Sequence, residues 1–559
     1  MPLNHGINTF EVATSVGTPV VAESGVPFCV GVTPVWHGTA QPNEVRYLSS
    51  WAEAVEAFGY SEDWDTYPGC GAMDAFFRRY GMAPMLAVCP FDYTAAGNSS
   101  AVAATNLACS NRQVKLPIAA IPSTVVVKSP SVALSDDAVA LVNGTGSVYG
   151  LNLTVTGAVV KTASDVACTL TTDYTITKSG DRVIVTAVPG GKLDGETSCK
   201  VTIPRATSAI TYASGTDYEL YVDGEYLVVE ALSGGDIYGL YVDSLNVAYS
   251  KALPASVTSD EVAGGYNATT GKNTGLETIE ECLPKYGIVP DLILCPGWSH
   301  DSTVAALMAT KAEAINGLFP AVALIDVDAG SAVRYDQVPA WKTENNVFDK
   351  QQYLLWPNPT LGERTYKYSA QMAGLIAKTD EANGGCPVES PSNKLLKCDG
   401  LVDGSGNEIT IQLAHAEYLN NNGVCTVLSL FDGFRAWGDE TACYPGNTDV
   451  KDYEINMRRM FGWIAKTTVR TLWSKLDRPM TPILVQAVQN TINDWLSGLV
   501  GKSQLLGARV EFLESENPTQ QLMAGHGVFH VYVTPPPPFK RADFLFEFDT
   551  SYLSTLFGS

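Results

Sequence analysis

The sequence predicts a multidomain protein of mixed α/β and α+β class, in which an all-β region interrupts an α/β domain. Three observations support this fold class. The 559 residues exceed what one hydrophobic core accommodates, so several domains of roughly 100–200 residues are expected. Strand and helix patterns alternate in residues 23–104 and again in residues 265–400. Residues 105–264 contain short, closely spaced strand patterns instead.

The first α/β segment follows an N-terminal arm, residues 1–22. The arm alternates loosely, with Phe10, Val12 and Val16 as its candidate contact residues. The run "VPFCVGVTPVW" then predicts a buried strand, and "APMLAVCPF" predicts a second one. Between them, "WAEAVEAFG" and "GAMDAFFRRYG" have helical spacing and end at glycine, a common helix C-cap.

The predicted all-β insertion contains an internal repeat. Thr172-Asp173-Tyr174 recurs as Thr216-Asp217-Tyr218, and Gly190-Gly191 recurs as Gly234-Gly235, always at an offset of 44 residues. A constant offset predicts two related β-modules in tandem. The alternative is two hairpins of one sandwich that share their turn chemistry.

The α/β pattern resumes with the strand "DLILCPG" and a helix starting near residue 302. Further buried strands are predicted at "PAVALIDVD" and "YLLWPNP". A helix over residues 366–384 is expected to stop at Gly384-Gly385. Residues 23–104 and 265–400 are therefore interpreted as one discontinuous domain.

Residues 401–535 predict a C-terminal α+β domain. Strand patterns occur at "NEITIQLA", "VCTVLSLFDGFRAWG", "ARVEFL" and "GVFHVYVTP". Two long helices are expected, from residue 452 to about 473 and from 481 to about 499, separated by "DRPMTP".

The chain closes with a C-terminal arm, residues 536–559. Four prolines at 535–538 predict a stiff spacer of about 12 Å, at roughly 3.1 Å per residue, or alternatively a ligand for an aromatic groove. Beyond it, Phe544, Phe546 and Phe548 alternate on one face, followed by Tyr552 and Leu553. A strand held away from the body is suited to joining a neighbour's sheet. The alternative is that both arms fold back onto their own domain.

Composition restricts the classes of function. The net charge is −23, from 59 acidic and 36 basic residues, and such a chain repels phosphate backbones. No nucleic-acid partner is therefore expected. The sequence lacks a secretory-signal pattern and a run of about 18 apolar residues, so we expect cytosolic synthesis without membrane insertion. The twelve cysteines include no C-x-x-C pair and are expected to be mostly small buried residues, with disulfides left open.

The consecutive residues Ser299, His300 and Asp301 suggest a hydrolase at first sight. Three adjacent side chains diverge, however, and cannot form a nucleophile–base–acid relay among themselves. A nucleophile elbow also requires glycine two residues after the serine, where this chain has Asp301. Capping of the following helix by Ser299, Asp301 or Ser302 is the simpler interpretation.

No cofactor or metal is predicted, because the sequence contains no P-loop, H-E-x-x-H, EF-hand or dinucleotide fingerprint. His526 and His530 are four residues apart but belong to a strand-like segment.

Several motifs, in the same order, resemble the contractile tail sheath proteins of myovirus-type bacteriophages. The opening "HGINTFEVATSVGTPVVAESGVPFCVGVTP" is similar, as are "DRPMTPILVQAVQNTINDWLSGL" and the ending "YVTPPPPFKRADFLFEFDTSYLSTLF". "AGLIAKTDEANG" resembles the family's helix end, and "FDGFRAWGDET" resembles its "GFRFWGNRT" signature. The matching positions we single out are Ala373, Asp380, Gly384, Phe434, Arg435, Trp437 and Gly438. The chain departs at Asp439-Glu440, where the family has Asn-Arg. The resemblance covers roughly residues 5–90 and 270–559.

The resemblance implies a structural subunit and no enzyme, with a subtilisin-like core that lacks catalytic residues. Sheath subunits stack as hexameric rings around a tail tube, and their arms add strands to neighbouring subunits. Contraction drives the tube through the host envelope during genome ejection. The implied partners are further copies of the chain, the tail tube protein, and baseplate and tail terminator proteins. The implied location is the virion tail, after assembly in the bacterial host cytoplasm.

Three alternatives remain open at this point. One is the sheath of a phage-derived device, such as an R-type bacteriocin or a type VI-like system. The second is a serine hydrolase that uses Ser299. The third is a surface adhesin built around the β-modules, which the lack of a signal-peptide pattern weakens.

Overall fold

The structure is a computed structural model and describes residues 19–557. Twelve α-helices occur in this range: α1 Trp51–Phe58, α2 Pro68–Met73, α3 Ser259–Ala263, α4 Cys282–Tyr286, α5 Ser302–Glu313, α6 Val338–Glu344, α7 Tyr368–Ala382, α8 Leu413–Asn420, α9 Val450–Tyr453, α10 Ile455–Leu472, α11 Pro482–Gly501 and α12 Thr519–Met523. A π-helical segment, Asp74–Arg79, extends α2. No helix within residues 19–557 combines the length and apolar character of a membrane span.

The same range contains twenty-seven β-strands: β1 Pro27–Val30, β2 Arg46–Leu48, β3 Met85–Val88, β4 Ser99–Ala108, β5 Gln113–Pro117, β6 Val126–Lys128, β7 Leu134–Ala140, β8 Thr145–Tyr149, β9 Val159–Thr162, β10 Tyr174–Ser179, β11 Arg182–Ala187, β12 Ser198–Ile203, β13 Tyr218–Asp223, β14 Tyr226–Ala231, β15 Ser244–Ala252, β16 Gly265–Asn267, β17 Lys272–Thr274, β18 Leu292–Leu294, β19 Val322–Asp326, β20 Gln352–Leu355, β21 Asn358–Leu361, β22 Arg364–Thr365, β23 Gly400–Val402, β24 Thr426–Ser429, β25 Phe434–Trp437, β26 Gly507–Glu511 and β27 His530–Thr534.

A six-stranded sheet with the order β2-β3-β1-β18-β19-β20 organises the largest core. Strands β3, β1, β18, β19 and β20 run parallel, and β2 is an antiparallel edge. The five parallel strands are buried along their whole length, as expected when helices cover both faces. Helices α1 and α2 lie in the connection from β1 to β3, α5 in that from β18 to β19, and α6 in that from β19 to β20.

Strands β4 to β15 form four three-stranded sheets around two apolar cores. Sheets β4-β15-β6 and β13-β14-β5 contribute to one core, which contains Leu116, Leu227 and Val247. Sheets β7-β12-β9 and β10-β11-β8 contribute to the other, which contains Val183 and Val201. The two sandwiches have the same pairing pattern, strand for strand.

The second sandwich is nested inside the first rather than following it. It uses the continuous run β7 to β12, whereas the first sandwich is assembled from β4–β6 and β13–β15. The expected tandem arrangement is therefore wrong. The reason is that the repeated residues fall only in the later half of each sandwich, so the sequence offset does not reveal where the earlier halves lie.

The repeated residues build one loop twice. The Asp173 carboxylate accepts from the backbone N–H of Thr169 at 2.7 Å and of Lys192 at 3.0 Å. Asp217 accepts in the same way from Ala213 at 2.7 Å and from Asp236 at 2.9 Å. These backbone hydrogen bonds lower the pKa of both carboxyls.

Glycine recurs at the second position of each pair for a steric reason. A Cβ on Gly191 would lie 2.6 Å from Cα of Asp173, and a Cβ on Gly235 would lie 2.6 Å from Cα of Asp217. Any side chain would force the two backbones apart, so this loop requires glycine.

Arg205 joins the two sandwiches where the chain passes between them. Its buried guanidinium donates to the Val132 carbonyl at 2.8 Å and to the Leu151 carbonyl. It also pairs with Asp243 at the start of β15, in the other sandwich. One side chain therefore fixes both the crossing point and the relative position of the sandwiches.

The C-terminal part packs α10 and α11 against the β26–β27 hairpin around Met460, Ile492 and Val510. The predicted strand over residues 407–414 is wrong. In this segment only Glu408 forms a β-bridge, with Val402, and the last two residues already belong to α8, which begins at Leu413.

Replacing Arg205 with Met leaves Asp243 without its buried partner and is expected to destabilise the chain by about 3 kcal/mol. The matched control is Lys200→Met, which removes an exposed pair with Asp165 and should have a much smaller effect. Urea unfolding of both variants measures the difference. Equal losses would contradict the role given to Arg205.

Candidate functional site

The Ser299-His300-Asp301 segment is a helix entry. The buried Ser299 hydroxyl donates to the Asp326 carboxylate at 3.1 Å and accepts from the Asp326 N–H at 3.0 Å. Ser369 binds the same carboxylate, whose pKa is raised by its burial. Asp301 caps α5 by accepting from Thr303 and Val304, which confirms the predicted cap. The Asp326 carboxylate at the end of β19 is thus linked to Ser299, just before α5, and to Ser369 in α7.

The two histidines singled out by their spacing do not converge. His530 lies in β27, and its Nδ1 is 2.7 Å from Glu516 Oε1, whereas His526 precedes the strand. Within residues 19–557, no group of three or more His, Cys, Asp and Glu side chains is arranged to hold a metal ion.

Asp380, one of the signature positions, belongs to a buried ion-pair cluster. Arg459 of α10 donates from Nη1 to Asp380 Oδ1 at 2.9 Å and contacts Oδ2 through Nη2. The same guanidinium reaches Asp291 Oδ2 at 2.9 Å. Asp291 in turn accepts from the backbone N–H of Gly25 at 3.1 Å and of Val26 at 2.8 Å. The cluster joins α7, α10, the chain entering β1 and the residue before β18.

Opposite charges in this cluster offset the cost of burial to different extents, and at Asp380 burial outweighs Arg459 and raises the pKa of the carboxyl. Burial opposes ionisation of Asp291, but Lys466 and Arg459 outweigh it and hold the pKa of that carboxyl below its usual value. Burial likewise opposes the charge on Arg459, while Asp380 and Asp291 raise its pKa. Burial lowers the pKa of Lys466 to about 8, and its ammonium donates to the Pro290 carbonyl at 2.9 Å.

The other signature residues of α7 shape its packing and its end. Ala373 is buried against the core. The helix ends at Ala382, and Gly384 then takes a φ of +71°, a conformation that favours glycine. The N–H of Gly385 returns to the Asp380 carbonyl at 2.8 Å, so the helix end and the buried ion pair are structurally connected.

The "FRAWG" signature forms β25 and the residue after it. Arg435 donates to both oxygens of Asp432, at 3.0 and 2.6 Å, and to the Asn393 carbonyl at 2.6 Å. Phe434 and Trp437 pack partly buried against the main core. Gly438 has a φ of +126°, and a Cβ there would lie 2.5 Å from Asn420 Oδ1.

An acidic pocket follows the signature directly. Asp439, Glu440 and Glu454 surround the ammonium of Lys540, which belongs to the C-terminal arm. Sequence reasoning missed Lys540, Glu454 and Arg459. For the acidic pocket, the available signal was the departure at Asp439-Glu440, which places two negative charges where the family pattern has Asn-Arg.

The C-terminal arm beyond Lys540 is exposed. Phe544 is 77% exposed, Phe546 96% and Phe548 77%, while Tyr552 and Leu553 lie in an exposed 3₁₀ segment, Thr550–Phe557. No strand ladder involves this arm within the described residues. Phe10, Val12 and Val16 fall outside the described residues. Strand exchange by either arm stays a prediction.

Curated relatives of the chain are sheath proteins. The tail sheath protein of Burkholderia phage BcepMu is 27% identical over 321 residues, which is 56% of this chain and 66% of that protein. The major tail sheath protein of Serratia phage KSP20 is 28% identical, over 55% of this chain and 75% of that protein. A putative prophage major tail sheath protein of Pseudomonas aeruginosa is 26% identical, over 52% and 73%. These matches confirm the resemblance to phage tail sheath proteins. No family model matches the chain.

Solved sheath structures overlap only loosely with this chain. A sheath tail protein from Desulfitobacterium hafniense covers 91% of this chain and 93% of its own, at 10% identity and a TM-score of 0.43. The sheath of an extracellular contractile injection system, PVC, in the contracted state covers 50% and 76%, at 18% identity and a TM-score of 0.42. Overlaps at this level carry no weight for the arrangement of this fold.

Replacing Arg459 with Met leaves Asp380 and Asp291 buried without a partner and is expected to cost about 3–5 kcal/mol of unfolding free energy. The control is Arg470→Met, on the same helix as Arg459. It removes a more exposed pair with Glu23 and should cost at most about 1 kcal/mol. Chemical denaturation of both variants provides the measurement. A loss in Arg459→Met no larger than in the control would show that the cluster is not the main clamp.

Proposed function

The chain is a relative of phage tail sheath proteins, and on that premise we propose that it is the structural subunit of a contractile tail sheath. Copies stack as hexameric rings around the tail tube and contract to drive the tube through the host envelope. The subunit performs no catalysis and needs no cofactor. Its partners are further copies, the tube protein, and baseplate and terminator proteins, and its place is the virion tail after assembly in the host cytoplasm.

The observation that carries this proposal is the exposed apolar surface of the C-terminal arm. Within residues 541–557, eight large apolar side chains are exposed: Phe544, Leu545, Phe546, Phe548, Tyr552, Leu553, Leu556 and Phe557. So many exposed large apolar side chains within one short segment mark a surface that another protein covers. A second copy of the chain is the partner that the sheath relatives indicate.

The β26–β27 hairpin supplies a complementary acceptor. It is a two-stranded sheet, so each of its strands has an outer edge that pairs with no other strand among the described residues. Its inner face is fixed, because Val510, Val531 and Val533 pack on the core shared with α10 and α11. An open edge on a rigid support accepts an added strand.

Such an exchange can link many copies in series. The arm and the hairpin are different surfaces, so contact between two copies is heterologous and continues either into a closed ring or into a helical filament, depending on the rotation between copies. Flexible links of this kind hold subunits together while the bodies move between two packings. The extended sheath is then a kinetically trapped state.

The domain division belongs to the same proposal. Residues 23–104 and 265–400 form a subtilisin-like core without catalytic residues, residues 105–264 an inserted all-β region, and residues 401–535 the C-terminal α+β domain. The inserted sandwiches face outward, because a large insertion on the inner side would obstruct the tube.

A phage-derived contractile device is the alternative assembly, with which the prophage relative is also consistent. The subunit would act in the same way in both. Capsid and terminase genes beside the coding sequence distinguish a phage from a derived particle.

Replacing Phe544, Phe546 and Phe548 with Ser is expected to leave a folded subunit that forms no long tubes, because the apolar face of the donated strand is lost. Sedimentation and negative-stain microscopy of the purified chain measure this. The control replaces Asp543 and Glu547 with Ser, which changes the same segment but keeps its aromatic residues, and should form striated hollow tubes. Long tubes from the triple variant would contradict arm exchange.

A further inference from the structure

The ammonium of Lys540 occupies the acidic pocket with closely matched distances. Its Nζ lies 2.8 Å from Asp439 Oδ1, 2.9 Å from Glu440 Oε1 and 2.9 Å from Glu454 Oε1. It also lies 5.4 Å from the centre of the Tyr453 ring. Three carboxylates therefore face one cation from three directions, and an aromatic face covers part of the remaining side.

The backbone holds these carboxylates together. Glu440 and Glu454 are partners in an isolated antiparallel bridge, and the Ile455 N–H donates to the Asp439 carbonyl at 2.8 Å. The Thr441 N–H donates to the Tyr453 carbonyl at 2.7 Å. The residues after β25 are thus tied to the start of α10, which keeps the backbone positions of the three acidic residues close together.

The pocket requires a cation. Asp439 and Glu454 are almost fully buried, and Glu454 Oε2 has no hydrogen-bond partner within residues 19–557. Buried carboxylates in contact are unfavourable unless a positive group compensates them. Lys540 is the group that the chain supplies, and the three carboxylates raise its pKa above the usual value for lysine despite its partial burial.

Lys540 also marks the point where the arm leaves the body. Pro535 is buried and Pro538 is half-buried, whereas Phe539 and every described residue after Lys540 are exposed. The side chain of Lys540 is 37% exposed, and that of its neighbour Arg541 is 82% exposed.

We propose that the acidic pocket of Asp439, Glu440 and Glu454 is the anchoring site of the C-terminal arm and that Lys540 of the same chain is its ligand. The anchored lysine is the pivot from which residues 541–557 reach a second copy. The four-proline spacer sets the distance to this pivot, and the pocket sets the direction of departure. The pivot role rests on the proposed function, whereas the occupancy of the pocket can be measured in the free subunit.

The reactivity of the Lys540 amine tests the occupancy of the pocket. Acylation of the full-length chain by an N-hydroxysuccinimide acetate, quantified by peptide mass spectrometry, compares Lys540 with the exposed Lys502. Lys540 is expected to react at least about tenfold more slowly, the equivalent of one pKa unit of extra stabilisation of its charged form. In Asp439→Asn/Glu440→Gln its rate should rise toward that of Lys502, while the exposed-surface control Glu417→Gln leaves it unchanged.

Acylation of Lys540 combined with the assay for tube formation separates the two proposals. A protected Lys540 in a chain that forms no tubes would contradict the sheath function and support the anchor. Tubes formed by a chain whose Lys540 reacts as fast as Lys502 would overturn the anchor and leave the sheath function standing.

Zero-length carbodiimide coupling shows which chain fills the pocket. Tubes assembled from equal amounts of isotopically light and heavy chains are coupled, and the peptide joining Lys540 to Glu440 is identified by mass. Only light–light and heavy–heavy pairs are expected, because the anchor is intramolecular. Mixed pairs at the statistical frequency would show that Lys540 enters a neighbour's pocket and would overturn the proposal.

The pocket also predicts a pH dependence. Burial, then Glu440, raises the pKa of Asp439 to about 7, and Lys540 partly opposes this rise. When the pKa of a carboxyl is higher in the folded state than in the unfolded state, the folded protein loses stability as the pH rises toward and through the folded-state pKa. Replacing Lys540 with Met removes the opposing charge, so the fall in melting temperature relative to the parent chain should be larger at pH 8 than at pH 6. An equal fall at both values would contradict the charge balance assigned to Asp439, Glu440, Glu454, Tyr453 and Lys540.

Discussion

The contact between Arg459, Asp380 and Asp291 is the interaction on which the rest of the structure depends. It is the point where the parallel sheet, α7 and the C-terminal helices meet. The chain entering β1 also binds there, because the Gly25 N–H donates to the Asp291 carboxylate. A buried guanidinium between two carboxylates adds little net stability compared with an apolar contact, but it is strongly unfavourable when one partner is removed. The cluster therefore specifies one arrangement of these elements. Under the proposed function, a subunit that transmits force needs this property, because its parts must move as one body.

Buried ion pairs have two different structural roles in this chain. The Arg459 cluster and the Arg205–Asp243 pair each fix two packed units relative to each other. The acidic pocket does the opposite for the C-terminal arm, because it holds a single residue and leaves everything beyond it in solvent. Under the proposed function, an outward-reaching arm on a rigid body is what a polymerising subunit requires. The high net negative charge disfavours unspecific association of the exposed aromatic residues before assembly.

The sequence predicted those parts of the fold that depend on local patterns. The buried strands β1, β3, β18 and β19 were predictable because short apolar runs next to glycine or proline have few other solutions. The nesting of the two sandwiches was not, because β4–β9 carry no repeated residues that align them. Arg459 was missed for a different reason. In sequence it is one of two consecutive arginines on an amphipathic helix, which usually face solvent, and only the tertiary structure brings Asp291 and Asp380 to one of them. Lys540 was missed in the same way, since its three partners lie about a hundred residues earlier in the chain.

The most direct test of the central claim is a helical reconstruction, by electron cryomicroscopy, of tubes assembled from the purified chain. Residues 541–557 of each subunit are expected to leave its own pocket at Lys540 and to pair as a strand with the β26–β27 hairpin of another copy, with the Arg459 cluster intact in every subunit. Arms folded back onto their own subunit, with both hairpin edges unpaired between copies, would contradict it.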